Sequence, residues 1–420
     1  MRFTSLSAWL TWQETLHPNA IDLGLERVHA VAQRMHLLQP PYAVITVGGT
    51  NGKGSTVAML EAILLAAGYR VGAYTSPHLL RYSERVRVNG IEASDAQLCA
   101  AFANVDAARA DTSLTYFEFG TLAALEIFSQ ANLDVAVLEV GLGGRLDAVN
   151  ILDAEVALVT SVALDHTEWL GVDRETIARE KAGIYRSGKP ALFGEPGVPH
   201  SLQQHAQAIG APLYRYGIDF GARSAANAWT WWGAGKERHA LVLPPLRGAH
   251  QLQNAAGVLM ALELLAERVP VTQAQIRAGL MNVALPGRFQ VVPGPVVHIY
   301  DVAHNPHGAQ ALAHTLRAHP CNGRTFAVCG MLRDKDITAT LAQLHELMDA
   351  WYVAPVNSPR TASAGELAAA ARRTDAAKPV VAYPDIAAAL SQARCDAHSG
   401  DRIVVFGSFY TVAAALRTSL

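Results

Sequence analysis

Residues 43–60 read AVITVGGTNGKGSTVAML, and this stretch decides the fold expected for the chain. The nearly all-apolar run at 44–47 is typical of a strand buried on both faces, and an Ala/Leu-rich helical pattern follows the glycines. Glycines allow backbone N–H groups to turn toward an anion, and the start of a helix adds its dipole. The segment therefore predicts a phosphate-binding loop, with Lys53 reaching the terminal phosphates.

This loop departs from the strict pattern G-x-x-x-x-G-K-[ST] in two places. Val47 stands where the first glycine is expected, and Gly54 separates Lys53 from Ser55. The alternative is a glycine-rich turn without a ligand, but a lysine between such a strand and helix favours phosphate binding. The candidate nucleotide-binding residues of the loop are Gly49, Thr50, Asn51, Gly52, Lys53, Gly54, Ser55 and Thr56.

The rest of the chain continues the alternation of strand-like and helix-like runs. Further candidate strands lie at 71–74, 134–140 and 156–162. Such alternation predicts an α/β fold with a doubly wound parallel sheet. The pattern weakens between about 195 and 245, and a second alternating set follows the loop-like segment 291–295. We therefore expect an N-terminal domain over 1–292 and a smaller α/β domain over 293–420.

Polar side chains stand at the ends of three of these strands. Ser76, Glu139 and His166 end or follow the second, third and fourth strands. In open α/β sheets, ligands bind beyond the carboxyl ends of the strands. A buried carboxylate is unfavourable without a counter-charge, and Mg²⁺ would supply one because hard cations take oxygen ligands. The alternative is a structural ion pair between Glu139 and Arg145; the converging hydroxyl and imidazole favour a metal.

The bulk composition bounds the function. The chain has 420 residues, a formal net charge of −2 and a pI near 6.8, which argues against a nucleic-acid or membrane-surface partner. Its four cysteines include no CxxC pair, which indicates a reduced, cytoplasmic protein. We find no signal peptide and no apolar run long enough to span a membrane.

Two further motifs are less specific when each is considered by itself. The segment REKAGI at 179–184, which contains Lys181, is by itself a solvated, charged helical turn. The segment DVAHNPH at 301–307 follows an apolar run, and it is either a polar turn broken by proline or a ligand-binding loop. Its position at a strand end makes it a candidate for binding.

Taken in order, these motifs resemble a known family. They are GGTNGKGST (48–56), TSPHL (75–79), TYFEFGT (115–121), LEVGLGGRLDAVN (138–150), ALDHTEWLG (163–171), REKAGI (179–184), LPGRFQ (285–290) and DVAHNPH (301–307). The chain resembles the Mur ligase superfamily and, within it, the bifunctional dihydrofolate synthases/folylpolyglutamate synthases. The resemblance extends from about residue 22 to residue 410. It implies an N-terminal P-loop ATPase domain and a C-terminal Rossmann-like ligase domain.

The resemblance also implies a reaction. With ATP and Mg²⁺, the carboxylate of dihydropteroate or of tetrahydrofolate would become an acyl phosphate, which the amine of L-glutamate would attack. Activation is needed because the oxygen of a carboxylate is a poor leaving group. Phosphoryl transfer requires positioning and neutralisation of charge more than a protein nucleophile, which agrees with a phosphate loop and metal ligands.

Roles for individual residues follow from the same resemblance. Lys53, His166 and Lys181 would be catalytic, and Lys181 matches a lysine that carries a carbamate. Ser76, Glu139 and His166 would hold Mg²⁺. Outside the loop, the residues implied to contact ATP are Asn254, Arg288 and Asp301. The residues implied to contact the incoming glutamate are His304 and Ser408. The residues implied to line the pteroate site are Asp22, Leu23, Gly24, Leu25, Thr115, Tyr116, Phe117, Glu118, Leu146, Asp147 and Ala148.

One departure and three alternatives accompany this interpretation. In the turn at 248–254, Gln251 replaces the first asparagine of the superfamily's G-x-H-N-x-x-N pattern, so only Asn254 is carried over. The alternatives are a folylpolyglutamate synthase without the first activity, a cell-wall precursor ligase, and a regulatory ATPase. The motifs DLGLERV (22–28) and TYFE (115–118) argue against a cell-wall precursor ligase. A regulatory ATPase would give no function to the C-terminal domain or to its DVAHNPH loop. We expect a monomer.

Overall fold

The structure is a computed structural model that describes residues 2–225 and 228–418. Its strands are β1 (Ala43–Gly48), β2 (Val71–Tyr74), β3 (Val86–Val88), β4 (Ile91–Glu92), β5 (Val135–Glu139), β6 (Val156–Val159), β7 (Ala191–Phe193), β8 (Leu213–Arg215), β9 (Phe220–Ser224), β10 (Trp229–Gly233), β11 (Lys236–Leu241), β12 (Gln290–Val292), β13 (Val297–Tyr300), β14 (Thr325–Cys329), β15 (Ala350–Val353), β16 (Val380–Ala382) and β17 (Arg402–Phe406).

The α-helices are α1 (Leu6–Leu16), α2 (Glu26–Arg34), α3 (Lys53–Ala66), α4 (Asp95–Arg109), α5 (Tyr116–Gln130), α6 (Thr167–Leu170), α7 (Arg174–Ala182), α8 (His200–Ala208), α9 (Ala249–Leu264), α10 (Gln273–Asn282), α11 (Pro306–Ala318), α12 (Ile337–Ala342), α13 (Ala364–Thr374), α14 (Ile386–Asp396) and α15 (Phe409–Arg417). Short 3₁₀ helices lie at Tyr82–Arg85, Ala148–Ile151 and His345–Leu347. Within the described ranges, no helix combines the length and the apolar character needed to cross a bilayer.

The described residues pack into two units. The N-terminal unit contains 2–162, Leu170–Pro245 and Leu252–Val283. The C-terminal unit contains Ala163–Trp169, Leu246–Gln251 and 284–418, so two short segments from earlier in the chain pack with it. The domain division after residue 292 that the sequence predicts stays a proposal.

The N-terminal unit contains an eight-stranded sheet in the order β4-β3-β2-β5-β1-β6-β7-β8. The six strands from β2 to β8 in this order are parallel. The predicted α/β fold is confirmed. The sheet is not wholly parallel, because β3 and β4 add an antiparallel hairpin at one edge. The strands β1, β2, β5 and β6 consist entirely of buried residues, which explains why their sequences are almost uniformly apolar.

The helix after the phosphate loop is held closely by α10. A Cβ atom added at Gly279 would lie 2.4 Å from the Cα atom of Ile63, so only glycine permits this approach between the two helices. Gly68 follows the end of α3 with a φ of +86°, a conformation in which glycine commonly ends a helix.

A small antiparallel sheet, in the order β11-β10-β9, lies where the sequence pattern weakens. Trp229 and Trp231 are buried in it, and their indole N–H groups donate to the carbonyl oxygens of Val242 (2.8 Å) and Ala256 (3.1 Å). These two buried tryptophans therefore have a structural role. The apolar pattern gave no sign of the sheet because β11 is mostly polar and exposed.

The C-terminal unit contains a six-stranded sheet in the order β12-β13-β17-β14-β15-β16. All of its neighbouring strands are parallel except β12, which pairs with β13 in the antiparallel sense. The carboxyl ends of β13, β17 and β14 therefore meet at one edge of the sheet. The segments that follow β13 and β17 carry the polar side chains Asp301, His304 and Ser408, which the sequence associates with binding.

Candidate active site

The phosphate loop has the form that its glycines predict. β1 ends at Gly48, Gly49 has a φ of +140°, and Gly52 caps the start of α3 with a φ of +88°. A Cβ atom at Gly52 would lie 2.7 Å from the side-chain oxygen of Asn254, so the loop and this asparagine approach closely. Non-glycine residues would be strained at both positive φ values.

Two hydroxyl side chains after β6 fix the loop. Thr160 Oγ1 donates to the carbonyl oxygens of Gly48 (3.1 Å) and Asn51 (2.6 Å). The Ser161 hydroxyl binds the backbone of Asn51 on both sides, since it accepts from the Asn51 N–H group and donates to the Asn51 carbonyl oxygen, both at 3.0 Å. The backbone shape of the loop is thus set by side chains from the neighbouring strand, before any ligand binds.

Lys53 is the first residue of α3 and folds back over the loop. Its ammonium group donates to the carbonyl oxygens of Gly49 (3.0 Å) and Thr50 (3.3 Å). Thr56, one helical turn further on, is fully buried, and its hydroxyl has no hydrogen-bond partner among the described residues. A positive charge, a helix N-terminus and a hydroxyl lacking a partner form a donor set that fits an anion such as a nucleotide phosphate.

Glu139 and Ser76 lie at the carboxyl ends of adjacent parallel strands, β5 and β2. The backbone N–H group of Ser76 donates to Glu139 Oε2 at 3.2 Å, and Glu139 is buried. Arg145, the partner considered for a structural ion pair with Glu139, pairs with Glu180, since Arg145 Nη2 lies 2.9 Å from Glu180 Oε1. The third predicted metal ligand, His166, belongs to the C-terminal unit. Among the described residues, no three His, Cys, Asp or Glu side chains form a group that could hold a metal.

Lys181 lies in the last turn of α7, and the interpretation of its motif as a solvated turn is wrong. Only 4% of the residue is exposed, and its neighbour Glu180 is paired with Arg145. A Cβ atom at Gly144 would lie 2.8 Å from the carbonyl oxygen of Lys181, so the glycines that follow β5 pack directly on this turn. The segment after Glu139 and the Lys181 helix are therefore neighbours.

The segments assigned to pteroate by resemblance are joined by an arginine that sequence analysis missed. Arg27 Nη1 donates to Asp22 Oδ2 at 3.0 Å, and Arg27 Nη2 lies 3.2 Å from Glu118 Oε1. Glu118 is also part of a capping box with Thr115 at the start of α5. The loop at 22–25 and the motif TYFE are thus held together by one guanidinium group. The remaining members, Leu23, Gly24, Leu25, Tyr116, Phe117 and Leu146, are half-buried.

Asp147 is buried beside this region and caps a 3₁₀ helix. Its carboxylate accepts hydrogen bonds from the backbone N–H groups of Leu142 (2.8 Å) and Val149 (3.0 Å). Burial raises the pKa of Asp147 to about 7, although these hydrogen bonds and the charge of Lys53 favour ionisation. The adjacent Ala148 is also buried.

In the C-terminal unit, Asp301 follows β13 and organises the loop after it. Its carboxylate accepts from the backbone N–H groups of Phe289 and Ala303, both at 2.8 Å. Burial raises the pKa of Asp301, while the two hydrogen bonds and the nearby Arg288 oppose this shift. Arg288 immediately precedes Phe289, whose N–H group donates to Asp301, so these two predicted ATP contacts are neighbours. The guanidinium of Arg288 also lies 5.0 Å from the ring centre of Phe409.

The two predicted glutamate contacts differ in their surroundings. His304 Nδ1 lies 2.9 Å from the carbonyl oxygen of Val302, and its Nε2 lies 3.4 Å from Asp165 Oδ2. Ser408 is buried and caps α15, where its hydroxyl accepts from the Thr411 N–H group at 3.0 Å. Ser408 Oγ and Thr411 Oγ1 also lie 2.7 Å apart. The structure therefore gives Ser408 a role in the start of a helix.

A buried ion pair in the C-terminal unit was not predicted from the sequence. Lys335 Nζ lies 2.6 Å from Asp165 Oδ1, and both side chains are only 7% exposed. Asn305 Nδ2 donates to Asp165 Oδ2 at 2.9 Å. Burial alone would raise the pKa of Asp165, but the hydrogen bond from His304 and the charge of Lys335 hold it well below its usual range.

This cluster joins three segments that are distant in sequence. His166 contributes to it, since its Nε2 lies 3.4 Å from Lys335 Nζ, and its backbone has a φ of +51°, which is unusual for a residue with a side chain. Lys335 follows β14 and its strand-like run TFAVCGM. The strand-end argument used for the other strands would have found this lysine had it been applied to β14.

Two known domain families and several known proteins match this chain over most of its length. The model of the Mur ligase middle domain matches residues 47–262, and that of the Mur ligase glutamate ligase domain matches 287–409. A dihydrofolate synthase/folylpolyglutamate synthase of Escherichia coli is 50% identical over 97% of this chain and 94% of its own length. The Mycobacterium tuberculosis protein of the same name is 34% identical over 96% and 91%.

Solved structures of the same family are similar to this chain over nearly its whole length. E. coli FolC in complex with DHPP and ADP has a TM-score of 0.94 and 49% identity, covering 99% of this chain and 98% of that one. A bifunctional folylpolyglutamate synthase/dihydrofolate synthase with Mn, AMPPNP and L-glutamate bound has a TM-score of 0.91 and 50% identity, with the same coverage.

Proposed function

Because the chain belongs to the Mur ligase superfamily and, within it, to the dihydrofolate synthases/folylpolyglutamate synthases, we propose that it is an ATP-dependent ligase. It joins L-glutamate to dihydropteroate, giving dihydrofolate, and adds glutamate to tetrahydrofolate. The observation that carries the proposal is the phosphate loop, in which Lys53 and the start of α3 lie beside a strand end with a buried Glu139. Such a loop serves phosphoryl transfer, and the similar structures contain ADP or AMPPNP.

The reaction is two successive displacements. A carboxylate oxygen of the pteroate or folate attacks the γ-phosphorus of ATP, the bond to the β-phosphate oxygen breaks, and ADP leaves. The glutamate amine then attacks the acyl carbon of the acyl phosphate, loses a proton, and expels inorganic phosphate to leave an amide. Lys53 and the loop N–H groups neutralise the charge that develops during the first displacement. Asn254, Arg288 and Asp301 would contact the nucleotide.

The donor set also fits Mg²⁺. Ser76 and Glu139 offer a hydroxyl and a carboxylate at adjacent strand ends, and His166 would complete the set. Mg²⁺ prefers few protein carboxylates together with substrate phosphates and water, so a large cluster of acidic side chains is not required. When bound there, the ion would neutralise charge on the transferred phosphoryl group.

The variant Glu139→Gln is expected to raise the Mg²⁺ concentration needed for half-maximal activity by about tenfold or more, because the amide keeps the shape and removes the charge. The measurement is a Mg²⁺ titration of amide formation at saturating ATP. Glu61→Gln is the matched control, since Glu61 is also buried in this unit and pairs with Arg87 at 2.7 Å. An unchanged Mg²⁺ requirement in Glu139→Gln would show that this carboxylate is only structural.

We propose that Lys181 carries a carbamate. Formation of a carbamate requires the neutral amine, which burial favours, and Lys181 is only 4% exposed. The product would be a carboxylate-like anion, which could orient His166 or bound water near the metal. Carbon dioxide is the co-reactant: its carbon forms a bond to Nζ, and one proton leaves the nitrogen.

Lys181→Arg is expected to lose most of its activity, about 10²-fold, because arginine keeps a positive charge and cannot form this carbamate. The check is carbon NMR with ¹³C-labelled bicarbonate, in which the wild type gives a carbamate signal and the variant gives none. Lys189→Arg changes an exposed lysine of the same unit and serves as the control. A fully active Lys181→Arg protein would contradict the proposal.

The pteroate site is proposed to include the loop at 22–25, the TYFE motif and the segment Leu146, Asp147 and Ala148. The clamp of Arg27 on Asp22 and Glu118 supports this grouping. His304 would hold the incoming glutamate. Ser408 stays a proposal for the same role, although its hydroxyl caps α15. We further propose a cytoplasmic monomer without nucleic-acid or membrane partners.

Product analysis tests the function. The protein is incubated with ATP, Mg²⁺, glutamate and either dihydropteroate or tetrahydrofolate. The products are separated by chromatography and identified by mass spectrometry. Dihydrofolate in the first mixture and a glutamate-extended folate in the second are expected. A product from tetrahydrofolate but none from dihydropteroate would indicate a folylpolyglutamate synthase only. Equal ATP turnover with and without the acid would indicate a regulatory ATPase, and neither product would point to a different acceptor.

A further inference from the structure

Three arginines in the segment RYSERVR (81–87) differ in their counter-charges. Arg81 Nη2 pairs with Glu92 at 2.8 Å, and Arg87 Nη2 pairs with Glu61 at 2.7 Å. Arg85 is only 9% exposed and forms no ion pair with any carboxylate of the described residues. A buried cation without an anion is unfavourable, so the position of Arg85 requires an explanation.

The immediate surroundings of Arg85 are aromatic. Its Nε donates to His78 Nδ1 at 3.0 Å, and its guanidinium carbon lies 5.3 Å and 5.7 Å from the ring centres of Tyr82 and Tyr116. The adjacent Glu84 is otherwise engaged, because its carboxylate accepts three backbone N–H groups at 2.7 Å each. Aromatic faces attract a cation but do not neutralise it.

The terminal nitrogens of Arg85 remain available. Neither Nη1 nor Nη2 makes a hydrogen bond to the described residues. The fully buried side-chain atoms of these residues that lack a hydrogen-bond partner do not include Nη1 or Nη2. Both therefore keep contact with solvent. Two parallel N–H donors at the end of a fixed guanidinium match the two oxygens of a carboxylate.

This cation lies next to the segments proposed to bind pteroate. Tyr116, which it contacts, belongs to the TYFE motif, and the ring of Phe117 in the same motif lies 5.9 Å from that of Tyr74. Arg85 and Asp147 both act electrostatically on the hydroxyl of Tyr74. Arg85, the motif and Asp147 therefore form one neighbourhood inside the N-terminal unit.

We propose that Arg85 binds the α-carboxylate of the glutamyl group that a folate already carries, and that it thereby distinguishes tetrahydrofolate from dihydropteroate. This inference rests on the proposed function. Dihydropteroate has a single carboxylate, which is consumed in the reaction. Tetrahydrofolate has two, and after the γ-carboxylate has reacted the α-carboxylate remains as an anion that needs a cation. Arg85 is thus a specificity-determining residue for glutamate extension.

The test compares two ligands on one variant. Arg85→Met keeps an apolar stem of similar length and removes the charge. We expect the Kd for tetrahydrofolate, measured by calorimetry, to rise about 10- to 100-fold more than the Kd for dihydropteroate, which corresponds to the loss of a charged hydrogen bond. Arg85→Lys should recover part of the difference, since it keeps the charge and loses the paired donors.

Arg81→Met is the control, because Arg81 is exposed and paired with Glu92 on the surface. Thermal unfolding of each variant reports whether it is folded. An equal rise in Kd for both ligands, or no rise for either, would overturn the assignment of Arg85. The wild-type product assay separates this result from the proposed function: products from both acids with an unselective Arg85→Met would remove only the inference, and the absence of products would remove both.

Discussion

Lys53→Ala is expected to lower the rate of ligation by about 10²–10³-fold or more with both acids. A preorganised charge at a phosphoryl-transfer site contributes this much, because it stabilises the transition state in a place from which water is largely excluded. The ammonium group also bridges the carbonyl oxygens of Gly49 and Thr50, so its removal loosens the loop. The measurement is the initial rate of ADP release at saturating ATP and acid.

A folded variant is needed for this result to be informative. Lys53 lies at the start of α3, away from the core of the sheet, so we expect the thermal unfolding temperature to change little. Lys189→Ala, which removes an exposed lysine from the same unit, should ligate at the wild-type rate. Near wild-type turnover in a folded Lys53→Ala protein would remove the assignment of the phosphate loop.

Lys335→Met is expected to destabilise the protein by about 3–5 kcal/mol, because it leaves Asp165 buried without the ammonium group that pairs with it. The pair is short, at 2.6 Å, and both side chains are almost fully buried. The measurement is equilibrium unfolding in urea, followed by far-ultraviolet circular dichroism.

A double-mutant cycle separates the pair from general damage. Asp165→Asn keeps an acceptor for Asn305 and removes the negative charge. If the pair is coupled, the double variant should be more stable than the sum of the two single losses predicts, by about 1 kcal/mol or more. Strictly additive losses would show that Lys335 and Asp165 contribute independently.

Much of this fold could be predicted because its decisive segments are local. The strands β1, β2, β5 and β6 are buried on both faces, and a buried parallel strand leaves an almost uniformly apolar run in the sequence. The phosphate loop follows from glycines within one short segment. The predictions of the family, of the α/β fold and of an ATP-dependent ligase are confirmed.

Other features could not be predicted because they depend on long-range contacts. Lys335 and Asp165 are 170 positions apart, and neither gives a local sign of the other. The local sequence of Lys181 is that of a solvated turn, whereas in the structure the residue is buried and Gly144 packs on its turn of α7. The antiparallel sheet with β11 was missed because a half-exposed strand lacks the apolar run that identifies a buried one.

Arg85 illustrates the same limit. In the sequence, Arg85 is one of three arginines within seven residues, and nothing in the local sequence sets it apart from Arg81 and Arg87. The difference appears only when Glu92 and Glu61 are seen to pair with Arg81 and Arg87. Residue type identifies candidates for binding, whereas the distribution of counter-charges shows which candidate remains available for a ligand.

The central claim is that the acid is activated as an acyl phosphate, and isotope transfer tests this claim most directly. Dihydropteroate labelled with ¹⁸O in its carboxylate is incubated with the protein, ATP, Mg²⁺ and L-glutamate, and the released phosphate is examined by mass spectrometry or phosphorus NMR. The account predicts one ¹⁸O atom in each phosphate formed together with dihydrofolate, because a carboxylate oxygen leaves with the phosphoryl group. Unlabelled phosphate accompanying amide formation would contradict it.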